Sequence, residues 1–243
     1  SKGHGAMAMY AALKQIGVLS QTDIDASIRG RDSVISRHPR QNTDYAIECS
    51  VGSLGQGIGY AVGLADGLSG KGNPARVYVM VGDGECNEGS VWESAAYAAH
   101  RRLQNLVVIV DQNGLQLDGE TREVLNMDNL ADKWKAFGFS VVEIDGHDLE
   151  QIDKALQLGH GDAPLAIIAN TVKGKDIPFA ENKTEWHDNF LSDELYREGL
   201  QALERSYSER LGNLGKYAKH GTYGKHGTQP LRHGHLGKAE AVP

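Results

Sequence analysis

The chain has 243 residues, 40% hydrophobic and 23% charged, which suits an ordinary soluble domain with enough apolar side chains to bury a core. Its 25 Lys and Arg stand against 32 Asp and Glu, and the formal charge of −7 argues against nonspecific binding to nucleic acid or to an anionic membrane surface. Cys49 and Cys86 fit no metal, redox or disulfide pattern, no apolar run nears the roughly 20 residues of a membrane span, and no signal peptide opens the chain, so a cytoplasmic protein is expected.

The first patterned segment is SLGQGIGYAVGLADGLSG, residues 53–70, with Gly55, Gly59, Gly63 and Gly67 at every fourth position and Ala61 and Ala65 between them. Each glycine costs a helix about 1 kcal/mol. Their repetition therefore predicts a helix with a bare face that another backbone, or a diphosphate at its amino end, approaches closely. A loop-rich segment is the competing reading. Four apolar runs, Val77 to Val81, Leu106 to Val110, Val141 to Ile144 and Leu165 to Ala169, read as buried parallel strands. Helical patterns separate them: EGSVWESAAYAAHRR (88–102), VLNMDNLADKWKAFG and DLEQIDKALQLG. In the first of these, Ala95, Ala96, Ala98 and Ala99 form a second small-residue face, and two such faces predict a tight helical interface. His147, in DGHD, is expected to cap a strand-to-helix turn.

This alternation predicts an α/β fold, a doubly wound and mostly parallel sheet with helices on both faces. The expected domain covers residues 1–211 and ends in an exposed amphipathic helix starting after Ser192. Residues 212–243, rich in Gly, Lys and His, are expected to be a flexible tail, with His220, His226, His233 and His235 as adventitious metal binders at most.

Ligand crevices of such sheets lie beyond the carboxyl ends of the strands, which is where GDG (82–84) and DQNG (111–114) fall. A hard divalent cation prefers oxygen ligands and shares its shell with phosphate oxygens. Asp83 offers a charged oxygen, Asn113 an amide oxygen and Leu115 a backbone carbonyl. Gly82 and Gly84 clear the way for a diphosphate, and the helix beginning near Glu88 points its amino end at the charge. GDG after one strand and Asn one strand–helix–strand repeat later is a much stronger signal than GDG alone.

These residues resemble the thiamine diphosphate motif. SKGHGAMAMYAAL, GSLGQGIGYAVGLA, GDGECNEGSVWESAAYAAH, VDQNGLQLDGET, DGHD and KGKDIPFAENKTEWH are similar, in order, to signatures of the transketolase amino-terminal half, the domain that holds the cofactor's diphosphate, over roughly residues 1–190. The resemblance implies thiamine diphosphate and Mg²⁺ (or Ca²⁺ or Mn²⁺) as cofactors, with Asp83, Asn113 and the Leu115 carbonyl on the metal and Gly52, Gly82 and Gly84 near the diphosphate. Leu54 and Leu117 would flank the thiazolium. His4, His38 and His187 would line the substrate channel and handle hydroxyl protons, His187 also touching the cofactor. Glu88 would link the two cofactor sites across a dimer.

The resemblance also implies a partner. The carboxylate that activates the cofactor belongs, in this family, to a second domain that this sequence lacks, and the helical stretch that precedes SKGHG in the family is missing as well. The chain is expected to be one subunit of a split transketolase. It would assemble with a subunit carrying the pyrimidine and carboxyl-terminal domains, as a heterotetramer with a homodimeric contact, and act on sugar phosphates. SRHPRQN in place of GHPE leaves the sugar open, with Arg37 and Arg40 either solvated or reading a substrate phosphate. Two other readings remain: the α subunit of a thiamine-dependent 2-oxo acid dehydrogenase or decarboxylase, and a noncatalytic truncated relative.

Overall fold

Strands β1 (Val77–Gly82), β2 (Leu106–Gln112), β3 (Ser140–Asp145) and β4 (Leu165–Asn170) form one sheet in the order β1-β2-β4-β3, with every pairing parallel. The structure is a computed structural model and describes residues 1–29, 35–158 and 161–217. Pairing of Gly82 with Asp111, and of Asn170 with both Gln112 and Asp145, brings the carboxyl ends of the strands level. GDG and DQNG are side by side for that reason.

Helices cover both faces. On one lie α3 (Gln56–Gly70), α4 (Gly89–His100) and α6 (Leu130–Ala136), whose Ile58, Val62, Val91, Ala95 and Trp134 pack on Val79, Val81, Val108, Val110 and Ile168. The other face packs Val107, Ile144 and Ile167 against Ala155, Ile152 and Leu156 of α7 (Leu149–Gln157). A short α5 (Thr121–Val124) follows the DQNG loop. The expectation of four fully buried strands holds only for the central pair. β2 and β4 are buried on both sides, whereas the edge strand β1 alternates and leaves Tyr78 and Met80 about half exposed, Met80 lining a cavity of about 420 Å³. Helices α1 (Ala6–Gln15) and α2 (Gln21–Arg29) come before the sheet in the chain; Ala6, Tyr10 and Leu13 of α1 join Leu19 and Ile47 in a separate small core.

The glycine-rich segment is a single helix. Its core stripe is Ile58, Ala61, Val62 and Ala65, while Gly59, Gly63 and Gly67 face outward with the exposed Tyr60 and Leu64. Close backbone approach occurs instead at Gly57, where a Cβ would collide with the Ser1 Cα. The second small-residue face is split: Ala95 and Ala98 are fully buried in the core and Ala96 is exposed, because 3.6-residue periodicity sends them to opposite sides. The Cys86 thiol is buried, with its pKa pushed up first by burial and then by Glu85 and Asp83, as suits an inert thiol. No helix among the described residues is long and apolar enough to cross a membrane.

The chain divides into two compact units, Ser1–Ser192 and a second unit from Asp193 on. The second unit holds α8 (Asp193–Tyr217), which continues past the expected start of the tail at residue 212, since adding a residue to an existing helix is far easier than starting one. Residues 218–243, with all four tail histidines, lie outside the described residues.

Trp134 is fully buried, 5.2 Å from the Trp92 ring and 4.8 Å edge-on from Phe139. Trp134→Ala is expected to cost about 3–5 kcal/mol, lowering the urea midpoint with an unchanged slope. A midpoint shift worth less than about 1 kcal/mol would show that this aromatic cluster does not anchor α6 to the sheet.

Candidate functional site

The first residues of the described chain, SKGHG, dock against the end of β1 in a tight turn. Lys2 N–H donates to the Met80 carbonyl at 3.1 Å, and Gly5 N–H donates back to the Lys2 carbonyl at 3.0 Å. Gly3 has to be glycine here, since a Cβ would lie 2.9 Å from the His38 ring and 3.3 Å from Val51. The His38 loop is held in turn by Val51 N–H donating to the Pro39 carbonyl, which brings Gly52 beside His38.

Glu85 lies beneath these segments, 2% exposed. Its Oε1 accepts from the Gly55 N–H at 2.7 Å and from the Ser1 hydroxyl, and its Oε2 accepts from the Gly82 N–H at 3.1 Å. Gly55 takes a left-handed φ of 75°, which aims its N–H inward at the start of α3.

Asp83, 3% exposed, begins the short 3₁₀ turn after β1. Its Oδ1 accepts from Gly84 N–H at 2.9 Å, and its Oδ2 from Gly114 N–H at 2.7 Å and the Thr121 hydroxyl at 3.3 Å. Burial raises its pKa; the bonds from Gly114, Gly84 and Thr121 only partly oppose this, and the Asp111 charge adds to it. A nearby cation would favour the ionised form. The Asn113 amide oxygen accepts from Leu115 N–H at 3.0 Å, which leaves a second lone pair. No cluster of three His, Cys, Asp or Glu side chains suited to a metal exists among the described residues. A cation here would rest on one carboxylate and neutral oxygens, a hard set that suits an ion completing its shell with phosphate oxygens.

These groups open on one cavity of about 580 Å³. His4, His38 and His187 line it, as do Gly52, Leu54, Gly82, Asp83, Gly84, Asn113, Leu115 and Leu117, the last 61% exposed. Glu88 does not. It is exposed at the start of α4, with no side-chain cap bond, and its Cβ would lie 2.8 Å from a Cβ added at Gly55. His147 does not cap its own turn either: Asp148 does so, and His147 Nε2 accepts from Val172 N–H at 2.8 Å, tying down the loop after β4.

The cavity is positive on one side. The rings of His4 and His187 are 5.1 Å apart, and Lys173 Nζ is 3.3 Å from His187 Nδ1. His4 keeps open surface toward the cavity, yet the surrounding protein lowers its pKa to about 4, first by desolvation and then through Lys2, His187, Lys173 and His38. His187 and Lys173 are shifted down in the same way, burial first. Burial alone would raise the Asp111 carboxyl, but pairing with Lys2 and the Thr171 hydroxyl holds it below its usual range. Arg37 closes the rim through an ion pair with Asp188 at 2.5 Å.

Sequence reasoning passed over Lys2, Glu85, Gln116 and Lys173, all of which line the cavity. All four stand inside SKGHG, GDGE, NGLQ and VKGKD. A charged or amide residue within a glycine-rich string at a strand end was the available signal.

Residues 1–205 match the family described as "Transketolase, thiamine diphosphate binding domain". A 6-deoxy-6-sulfo-D-fructose transketolase subunit from Clostridium sp. (strain MSTE9) is 37% identical, over 84% of this chain and 75% of its own length. An apulose-4-phosphate transketolase subunit from Actinobacillus succinogenes is 40% identical, over 77% of this chain and 68% of its own length. The solved transketolase of Campylobacter jejuni superposes with a TM-score of 0.73 at 28% identity, over 82% of this chain and 33% of that one. The chain thus spans about a third of that one-chain enzyme, and the relatives named are transketolases or their subunits, not 2-oxo acid dehydrogenases. The chain belongs to the transketolase family of transferases, as its amino-terminal, thiamine diphosphate binding part.

Proposed function

We propose that this chain is the amino-terminal subunit of a split, cytoplasmic transketolase that transfers a two-carbon ketol unit between anionic sugars with a separate subunit bearing the pyrimidine domain. The observation that carries this is the meeting, in one cavity, of the Asp83–Asn113 oxygen pair with His4, His38 and His187, in a chain that spans most of the length of split subunits and a third of a one-chain enzyme.

Thiamine diphosphate, when bound, supplies the carbanion chemistry of carbon–carbon bond cleavage and formation. The chain's residues supply the setting. Asp83, Asn113 and the Leu115 carbonyl would hold Mg²⁺, or Ca²⁺ or Mn²⁺ in its place, and Gly52, Gly82 and Gly84 would stand near the diphosphate, with the Gln116 side chain filling the Cβ position of Gly84. Lys173 and Lys2 add positive charge on an otherwise acidic protein. Leu54 and Leu117 would pack on the apolar ring and exclude water. His4 is neutral at pH 7, so it can accept a hydroxyl proton and return it without first losing its own. His187 lies beside it, and His38 extends the wall toward Arg37. The exposed Gly59, Tyr60, Gly63, Leu64 and Tyr97 offer a face for a second copy, and Glu88 stands free to reach across it.

The full chain combined with its partner subunit, thiamine diphosphate and Mg²⁺ is expected to transfer ketol units from a ketose phosphate to an aldose phosphate, while the chain alone gives none. Robust turnover by the chain alone, or release of CO₂ from pyruvate by the complex, would end the split-transketolase reading. Asp83→Ala removes the cation's charged ligand, so calorimetry is expected to show Mg²⁺-dependent cofactor affinity falling by roughly a hundredfold or more. An unchanged affinity would rule out Asp83 as that ligand.

The His4 pKa also has a stability consequence. Its folded value, about 4, lies below the ordinary histidine value of 6.5. The unfolded chain therefore takes up a proton first, and the stability present above the unfolded pKa is lost as pH falls from about 6.5 toward 4. His4→Asn is expected to reduce the drop in urea midpoint between pH 7 and pH 5. The His4 ring proton is expected to titrate near pH 4 by NMR, and a midpoint near 6.5 would contradict its neutral, desolvated setting.

A further inference from the structure

The inference rests on the ketol-transfer reading above and concerns Arg37, which belongs neither to the metal-ligand pair nor to the histidine wall. SRHPRQN puts this arginine where the family string GHPE has its glycine. The backbone around it is firmly held. Tyr10, 3% exposed, accepts from Ser36 N–H at 3.4 Å and donates to the Ser36 carbonyl at 3.2 Å. Ser36 Oγ donates to the His38 carbonyl, and Val51 N–H donates to the Pro39 carbonyl at 3.1 Å. Arg37 thus projects from a fixed stretch of chain, although its side chain is 70% exposed.

Its partner Asp188 follows His187, whose N–H donates to the Thr184 carbonyl at 2.8 Å. Arg37 Nη2 donates to Asp188 Oδ1 at 2.5 Å, and both residues line the cavity that also holds Asp83, His4, His38 and His187. Asp83 is buried while Arg37 and Asp188 are open to solvent, so the cavity has a closed end at the metal-ligand candidates and an open end at this ion pair. A guanidinium carries five N–H donors in a planar fork. Only Nη2 is engaged here; the other donors of Arg37 have no hydrogen-bond partner among the described residues.

An ion pair this exposed adds little stability. A phosphate offers the fork two charged oxygens at once, which is the stronger and more directional arrangement. The other cations on the wall are occupied: Lys2 pairs with Asp111, and Lys173 stands beside His187 Nδ1. Arg40, the other arginine of the string, does not line the cavity. We propose that Arg37 reads the terminal phosphate of the sugar, exchanging Asp188 for two phosphate oxygens when substrate enters. Asp188 holds the fork over the open end until then. Arg37 is a specificity-determining residue on this account, and it favours sugars charged at the end remote from the carbonyl.

The test compares fructose 6-phosphate with fructose as ketol donors, a neutral aldose serving as fixed acceptor, for the full chain in complex with its partner subunit, thiamine diphosphate and Mg²⁺. Arg37→Met is expected to lower kcat/KM for fructose 6-phosphate about ten- to a hundredfold, the scale of hydrogen bonds to a charged group, and to lower the preference over fructose with it. Arg37→Lys is expected to fall between the two, since it keeps the charge and loses the fork. Asp188→Asn releases the guanidinium, so its preference for the phosphorylated sugar is expected to hold or rise. Unchanged kcat/KM for fructose 6-phosphate in Arg37→Met would overturn the proposal, as would equal losses with both sugars. A loss of preference in Asp188→Asn as large as in Arg37→Met would also overturn it, leaving the pair as a strap between two loops. No ketol transfer from either sugar by the unsubstituted complex would instead remove the function proposed above, and this inference with it.

Discussion

The site depends on one buried carboxylate that touches no proposed ligand. Glu85 accepts hydrogen bonds from Ser1, Gly55 and Gly82, and so joins the SKGHG turn, the start of α3 and the end of β1. Each of these would otherwise leave a buried donor unpaired. A carboxylate satisfied by several donors is held far more firmly than a lone ion pair, and so are the segments that supply the donors. His4, Gly52 with Leu54, and Asp83 with Gly84 are all within three residues of one of the Glu85 donors. The cavity has its shape because those three segments cannot move apart independently.

On that frame, the charges follow a simple division. The carboxylate of Asp83 is buried, which raises its pKa, and it makes no ion pair among the described residues, which leaves it suited to an added cation. Lys2 is paired with Asp111, while Lys173 is desolvated and has His187 and Lys2 as neighbours. On the proposed reading, an acidic chain would hold a small polyanion because the attraction is local: a divalent ion on Asp83 on one side and Lys173 on the other, with Lys2 already paired to Asp111. Burial first, and these positive neighbours second, push the pKa of both His4 and His187 down and so favour the neutral imidazole, the form that can take up a proton.

Much of the site was legible in the sequence for a definite reason. In a parallel sheet, residues that follow consecutive strands reach the same edge, so Gly82 to Gly84 and Asn113 to Leu115 had to lie together once the two apolar runs were read as neighbours. The neighbours of Asp83 were not legible. Gly114 and Thr121 are bound to it through a loop whose path depends on the Leu115–Glu120 bridge, and Lys173 arrives from beyond β4. Nothing in the sequence singles out Glu85, whose role lies in the convergence on it of the nearby Gly82 and the remote Ser1 and Gly55.

The sequence by itself determined the parallel α/β sheet, the single glycine-striped helix and the pair of oxygen-bearing loops, because hydrophobic period and glycine placement act over a few residues at a time. Tertiary structure decided which face of each helix is used. It sent Ala95 and Ala98 inward and Ala96 outward, left Tyr78 and Met80 half open on an edge strand, and put Ser1, not a ligand, against Gly57. It also turned Glu88 away from the cavity and Gln116 into it. Helical periodicity fixes only that Ala96 points away from Ala95 and Ala98; which side meets the core depends on the remote segment that arrives there, and strand order and long-range packing set that.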